Sequence, residues 1–512
     1  MRNRLLVAFG LCSLSAFAAL GVACDVGTPC DFGKCDGPKV GANTPDGSSS
    51  DGGADVDAAP IPEGCKPDVD PKDSPECLTD DFAVFVSPTG APGAAGSRTA
   101  PVGTVTEALT KLIGPKGARQ RIYVCAGTYD DAPSLTASNA VPIVGGFDCK
   151  QDWKYTGAKA TLAPKQAGKQ ALTLDGVSGV RLVDLALNAP AGDAQNVNSI
   201  AVRALKSAAS FLRVTITAAD GAAGAPADAA GPAGTHTDLA DVAISPNGNA
   251  ANMTTPGGPK TCKCTSGGTT TGGVGGGPTG TGNNGSASPA VTPVAPDDGL
   301  GGTGNIACGA GGFGHTGTKP PRNTDGATPT KLGDLASDSW TPNTGAPGAN
   351  GNPGQGGGGG GGRDATSAGG GGGCGGCGGG GGKPGKGGGA SIALLSIDST
   401  LSFLAGCELT SGTGGTGGTG GTGGGGGAGG NGGIGGCQAG EGGAGGDGGH
   451  GSGGPGGLSV LILHKGKAPT VDPATKQTVG TEGAEGAGAV GGGNPGPKGQ
   501  KGAVVDVATL PQ

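Results

Sequence analysis

Aromatic side chains are scarce, with two Trp, three Tyr and nine Phe in 512 residues. So few rings exclude a broad stacking platform for nucleic acid. Leu, Ile, Val and Phe make up about a sixth of the chain, below the roughly 20% expected of a large packed core. The length allows three domains, but this apolar supply cannot fill three cores. The four histidines, His236, His315, His450 and His464, have no paired spacing. What abounds is Gly (121) and Pro (38), about 31% together, above the roughly 25–30% that marks low complexity.

The net charge is −7, and it is unevenly placed. Residues 25–81 hold fourteen acids against Lys34, Lys39, Lys66 and Lys72. The rest is close to neutral and shows no basic footprint for DNA or RNA. The acidic stretch 41–64 has few apolar groups and is predicted to be a disordered spacer.

Arg2 and Arg4 precede the apolar run 5–23, which ends at Cys24. That order is a secretory signal, to be set aside from the fold, although a run of 19 residues is also long enough for an uncleaved anchor. Gly21-Val22-Ala23-Cys24 resembles a bacterial lipobox, with Gly21 where Leu is preferred. The resemblance implies cleavage before Cys24 and its acylation. Acyl chains would attach the mature N-terminus to a membrane, with 24–81 as the tether; cleavage after Ala23 without lipid is the other outcome.

Fifteen cysteines in an exported chain argue for disulfides. Cys30/Cys35 and Cys65/Cys77 are close in sequence, and Cys125/Cys149 flank one short excursion. Cys374 and Cys377 are further disulfide candidates. With Cys262 and Cys264 they mimic a four-thiolate zinc set, a reading set aside outside a reducing compartment. No metal or cofactor is expected.

From Phe82 the texture changes to alternating strands. FAVFVS is followed by a turn-rich loop, then by TVTEALTKLIG, with Val105, Ala108, Leu109 and Leu112 on one helical face. RIYVCAGTY and VPIVGGFDC are further strands. This order over 82–219 resembles the opening of exported right-handed parallel β-helix proteins of the pectate-lyase-like group, in which a short helix caps the coil. The repeats support a solenoid independently. Residues 182–189 match 211–218 at a spacing of 29, and Ser199–Thr217 returns 192 residues later from Ser391. A partial copy starts at Leu458. Strand alternation puts Leu185, Leu187, Val214, Ile216, Cys407 and Leu409 on one face, so Cys407 replaces Val214 and is the candidate unpaired thiol. The copies lead into glycine at equivalent points, which should lay the glycine tracts side by side.

Thirty of the 46 residues in 412–457 are Gly. From Gly414 the pattern Gly-Gly-X runs eight times, X being Thr416, Thr419, Thr422, Gly425, Ala428, Asn431, Ile434 and Cys437. Period three is that of the polyproline-II helix, which has no internal hydrogen bonds. Either the tracts pack into a bundle or they are flexible coil. Residues 345–457 resemble the repeat part of the PE-PGRS family of surface proteins, although an export signal stands where that family has a PE domain.

Chemistry-bearing motifs are sparse. The elements of β-helix hydrolases occur only as Asn323-Thr324-Asp325 and Asp297-Asp298, in reversed order, and His315 lacks its flanking glycine pair. A lyase would have only the scattered Asp175, Asp184 and Arg203. His464 reads as a solvated strand end. Residues 442–450 resemble a calcium nonapeptide without a tandem copy. The expected organisation is a signal (1–23), a tether (24–81), a β-helix (82–218), an insertion (219–389), a rung (390–411), a Gly-Gly-X tract (412–457) and a last rung with a glycine-rich tail (458–512). The expected class is all-β, a right-handed parallel β-helix with polyglycine insertions. The expected function is that of an exported, non-catalytic protein of the cell surface or envelope, with polysaccharide binding or cleavage as the alternative.

Overall fold

A computed structural model describes residues 58–509, apart from 115, 238–245, 311, 337 and 492–493. The expected signal, Cys24, Cys30 and Cys35 lie outside the described residues. The described chain is nearly all β, with several parallel sheets.

Three parallel sheets organise it. The first joins Ala83–Val86, Arg121–Cys125, Ile143–Asp148, Val180–Val183, Ala208–Leu212, Thr400–Phe403 and Thr470–Val471, with Lys154–Ala158 added antiparallel to Ile143–Asp148. The second joins Ser134–Thr136, Leu172–Asp175, Ser199–Leu205, Ser391–Ile397, Ser459–Lys465 and Val504–Thr509. The third joins Gly127–Tyr129, Ala160–Leu162, Leu185–Asn188, Thr215–Thr217, Glu408–Thr410 and Lys476–Thr478. The chain visits them in the rotation second, first, third, one strand each per circuit.

Register follows the repeats read from sequence. Leu182 pairs with Phe211, Leu187 with Ile216 and Ser199 with Ser391. Equivalent apolar residues therefore stack into ladders. One runs Ile122, Ile143, Leu182, Phe211, Phe403, and its two Phe rings stack at 4.7 Å between centroids. Another runs Tyr129, Leu162, Leu187, Ile216, Leu409. All ten are buried. Each aliphatic member contributes roughly 1.5–3 kcal/mol of burial.

The bends are equally regular. Gly176, Lys206, Asp398 and Gly466 take the turn from second to first sheet, all at positive φ (64°, 46°, 49° and 82°). Asp184 and Arg213 take the next turn at 53° and 54°, conformations uncommon for residues with a Cβ. At the third corner the chain does not turn back at once. Segments 189–198, 218–390, 411–458 and 479–503 all leave there.

The helix over 104–114 is shorter than expected. It spans Val105–Leu109, capped by the Thr104 hydroxyl, which accepts from Glu107 N at 3.0 Å. Beyond it Ile113–Gly114 and Gly117–Ala118 form a small hairpin, which ends the helical run. Residues 58–81, assigned from sequence to the tether, with 58–64 in the disordered spacer, instead pack on the outer face of the first sheet, where Ala59 N donates to the Ala118 carbonyl at 2.9 Å. Arg121 donates to the Pro67 carbonyl at 3.2 Å and Arg181 to that of Asp68 at 2.7 Å, while the Cys65–Cys77 disulfide closes the segment. There Phe85, Tyr123, Phe147 and Trp153 form a second apolar layer. A third lies outside the second sheet, where Ile392, Leu395 and Leu463 meet Trp340 of the hairpin Gly333–Ala336/Ser339–Pro342.

Candidate functional site: the glycine-rich layer

The segments leaving the third corner bond to one another. Within 411–436, Gly415, Gly418 and Gly421 donate to the carbonyls of Gly389, Lys386 and Lys383 at 2.8 Å each, an antiparallel series with a step of three. Gly414, Gly417 and Gly420 donate to Thr481, Ala484 and Ala487 at 2.8–2.9 Å. Gly221 and Gly224 donate into the segment at Thr413 and Thr416, and Gly451, Gly454 and Gly457 at Gly421, Gly418 and Gly415. One strand of glycine thus bonds to four neighbours, and no hydrogen bond joins two residues within 411–436. Obligatory backbone groups that helix or sheet would pair internally are paired laterally.

The two glycines of each triplet are required by space. An added Cβ at Gly418 would lie 2.0 Å from the Ala225 carbonyl oxygen, and at Gly417 2.0 Å from that of Gly454. Neither has positive φ; glycine is present because backbones approach closely on two edges. At the X position Gly425 has nothing within 4 Å. Thr416, Thr419, Ala428, Asn431 and Ile434 are correspondingly exposed.

Where the neighbour 479–487 runs out, side chains replace its carbonyls. Gly423 N donates to His450 Nδ1 at 2.9 Å, and Gly426 N to Asp447 Oδ1 at 2.9 Å. His450 Nε2 lies 3.0 Å from the Gly491 carbonyl, so the ring accepts at Nδ1 and donates at Nε2. Asp447, which lies within the calcium-like stretch 442–450, serves here as a hydrogen-bond acceptor.

Three disulfides staple the layer. Cys262 bonds Cys374, Cys264 bonds Cys377, and Cys308 bonds Cys437, closing separations of 112, 113 and 129 residues. The four cysteines that mimic a zinc set are therefore two crossing bridges, with His236 beside one of them. The sequence left the partners of Cys374 and Cys377 open, and the role of Cys308 was missed; the signal available was that the eighth X is a cysteine. Cys125 bonds Cys149. Among the described residues Cys407 is the cysteine outside any bridge, 1% exposed, and burial pushes its thiol above the usual range.

The hydrolase-like and lyase-like residues do not converge on one centre. Asp184 is 1% exposed and clamped by Arg213, with Nε–Oδ1 at 2.7 Å and Nη2–Oδ2 at 2.8 Å, while the Tyr155 hydroxyl donates to it at 2.7 Å. Burial, then Asp184 itself, pushes the Tyr155 phenol far up, and the hydrogen bond to Asp184 pushes Arg213 up. Arg213 also reaches Asp70 at 2.8 Å, so this cluster locks segment 58–81 to the circuits. Arg203 lies under the hairpin, paired with Asp338 at 3.1 Å, while Asp175 is exposed at its strand end.

His315 and Asp297 approach at 3.4 Å. Asp298 accepts from the Ala295 and Val294 amides and from the Thr318 hydroxyl, which hold its carboxyl below the usual range. Asn323 and Asp325 serve elsewhere; Asp325 accepts from His450 N at 2.7 Å and pairs with Arg322. His464, expected to be solvated, is 3% exposed, because Val504–Thr509 pairs over its strand with Thr509 opposite it.

Comparison with known protein families, curated proteins and solved structures finds no match to this chain.

Proposed function

We propose that the three sheets are the faces of a right-handed parallel β-helix, and that the glycine segments form polyproline-II-like helices bundled against it. We further propose that the chain is exported, acylated at Cys24, and displayed at the cell envelope as a non-catalytic structural or adhesive protein. The observation carrying this is the common corner. The long glycine-rich segments leave it, and they share lateral backbone bonds and three long-range disulfides. Such a layer suits a surface exposed to proteases and oxidants. Its open X edge offers hydroxyls, amides and methyl groups for contact.

Fractionation of cells expressing the full chain tests the anchor and the location together. The wild type is expected in the membrane fraction with residues 411–457 accessible to external antibody, and Cys24→Ala is expected in the soluble exported fraction. Wild type found free in the cytoplasm would overturn the reading.

Polysaccharide binding is the second reading. A cleft of about 280 Å³ is lined by Gln170, Gln195, Asn196, Asn198 and Thr341 beside Trp340, an uncharged hydrogen-bonding wall suited to neutral sugars. Glycan retention lost on Gln195→Ala with Asn196→Ala would favour it.

A further inference from the structure

The hairpin that covers the second sheet does not close onto it completely. Between them is a cavity of about 460 Å³ whose walls include Leu335, Trp340, Leu458 and Leu463, with Lys331 and Lys465 among its lining residues. This volume is in the range of small-ligand sites, which combine apolar walls with a few placed polar groups. Two of the other clefts differ: one is walled by amides, and another holds the Arg98–Asp152 ion pair.

The hairpin is held at fixed points. Asn198 Nδ2 donates to the Trp340 carbonyl at 2.7 Å, and Arg203 pairs with Asp338. Gly333 lies flat against the indole, where an added Cβ would be 2.5 Å from the ring. These ties set the hairpin's height above Leu458 and Leu463, so the space is fixed by the hairpin's attachments as well as by the packing of its lining.

The charges at the site are of one predominant sign. Lys331 stands 3.4 Å from Asp334, both side chains largely exposed, so that pair is screened. Lys465 makes no ion pair among the described residues and is only half-buried. An apolar slot with an uncommitted ammonium at its edge is complementary to one kind of molecule.

We propose that this cavity binds a medium-length aliphatic chain ending in a carboxylate, the chain lying between Trp340 and Leu463 and the carboxylate meeting Lys465. The site does not depend on the surface role proposed above, since its walls are the insertion hairpin and the second sheet, and it meets the glycine-rich segments only at their ends, Leu458 and Gln500.

The test is displacement of 11-(dansylamino)undecanoic acid from the full-length, oxidised protein. Dodecanoate is expected to displace it saturably at one site, and dodecanol about tenfold less well, the effect of losing one charge-assisted contact. Lys465→Glu is expected to weaken dodecanoate about tenfold and leave dodecanol unchanged. Ala508→Trp, which fills the cavity from the edge strand, is expected to abolish both, with the thermal midpoint confirming that each variant is folded. Absence of saturable binding to the wild type would overturn the proposal. So would equal affinity for acid and alcohol together with indifference to Lys465→Glu. If Ala508→Trp does not fold, Leu335→Trp fills the same space from the hairpin side, and undiminished binding there overturns the location.

Discussion

The β circuits and the glycine layer solve the same problem with opposite means. In the circuits, backbone groups pair along strands while side chains of period two fill ladders such as Leu182–Phe211–Phe403. In the layer, side chains are deleted at two positions in three so that backbones lie against one another, and pairing is lateral with period three. The circuits draw stability from apolar burial, which the layer lacks. Ordering a residue costs roughly 1–2 kcal/mol, and a net hydrogen bond returns about 0.5–1.5 kcal/mol. The layer is therefore near balance before the disulfides constrain its unfolded state, and the scaffold brings its segments into line.

That contrast can be broken at its strongest point first. Phe403→Ala removes half of the stacked pair with Phe211 from the first ladder. It should cost about 3–5 kcal/mol, read as a lowered midpoint of global denaturant unfolding. A midpoint shift confined to the layer would show that the circuits are not the scaffold.

Next in size is removal of one of the two crossing bridges. Cys262→Ser with Cys374→Ser should cost about 2–5 kcal/mol, read as new proteolytic cuts in 260–275 and 368–389 while the strands of 172–217 stay intact. Cuts appearing in both regions at once would mean that the two are one cooperative unit.

The smallest effects are the sharpest. Gly418→Ala forces a methyl group against the Ala225 carbonyl and should destabilise by roughly 1–3 kcal/mol. Gly425→Ala, in the same tract with open space at its Cβ, should be neutral or stabilise by about 0.4–1 kcal/mol through the unfolded state. Thermal midpoints that move equally for both would remove the distinction between blocked and open edges.

Much of the scaffold was legible because buried strands repeat. The offsets 29 and 192 carried Leu182 onto Phe211 and Ser199 onto Ser391, and one extra residue after Phe403 shifts the offset to 193, which puts Cys407 in the buried place of Val214 next to the pair Thr215–Glu408. Proximity in sequence indicated Cys65 with Cys77 and Cys125 with Cys149. It could not indicate Cys262 with Cys374, since bridges closing more than a hundred residues depend on which segments the scaffold brings together. The ordering of 58–81 was hidden for a related reason. Its composition is acidic and polar, and what fixes it is a set of arginines, Arg121, Arg181 and Arg213, that belong to three different circuits.

By itself the amino-acid order determined the alternation, the repeat offsets and the triplet period, because each is a local rule about which side chains face which way. Only the tertiary structure decided which glycine edge is closed, which cysteines meet, and that His450 and Asp447 complete a backbone bonding series. Those depend on the distance between chains remote in sequence, and a residue with no side chain carries no mark of its neighbour until the two backbones touch.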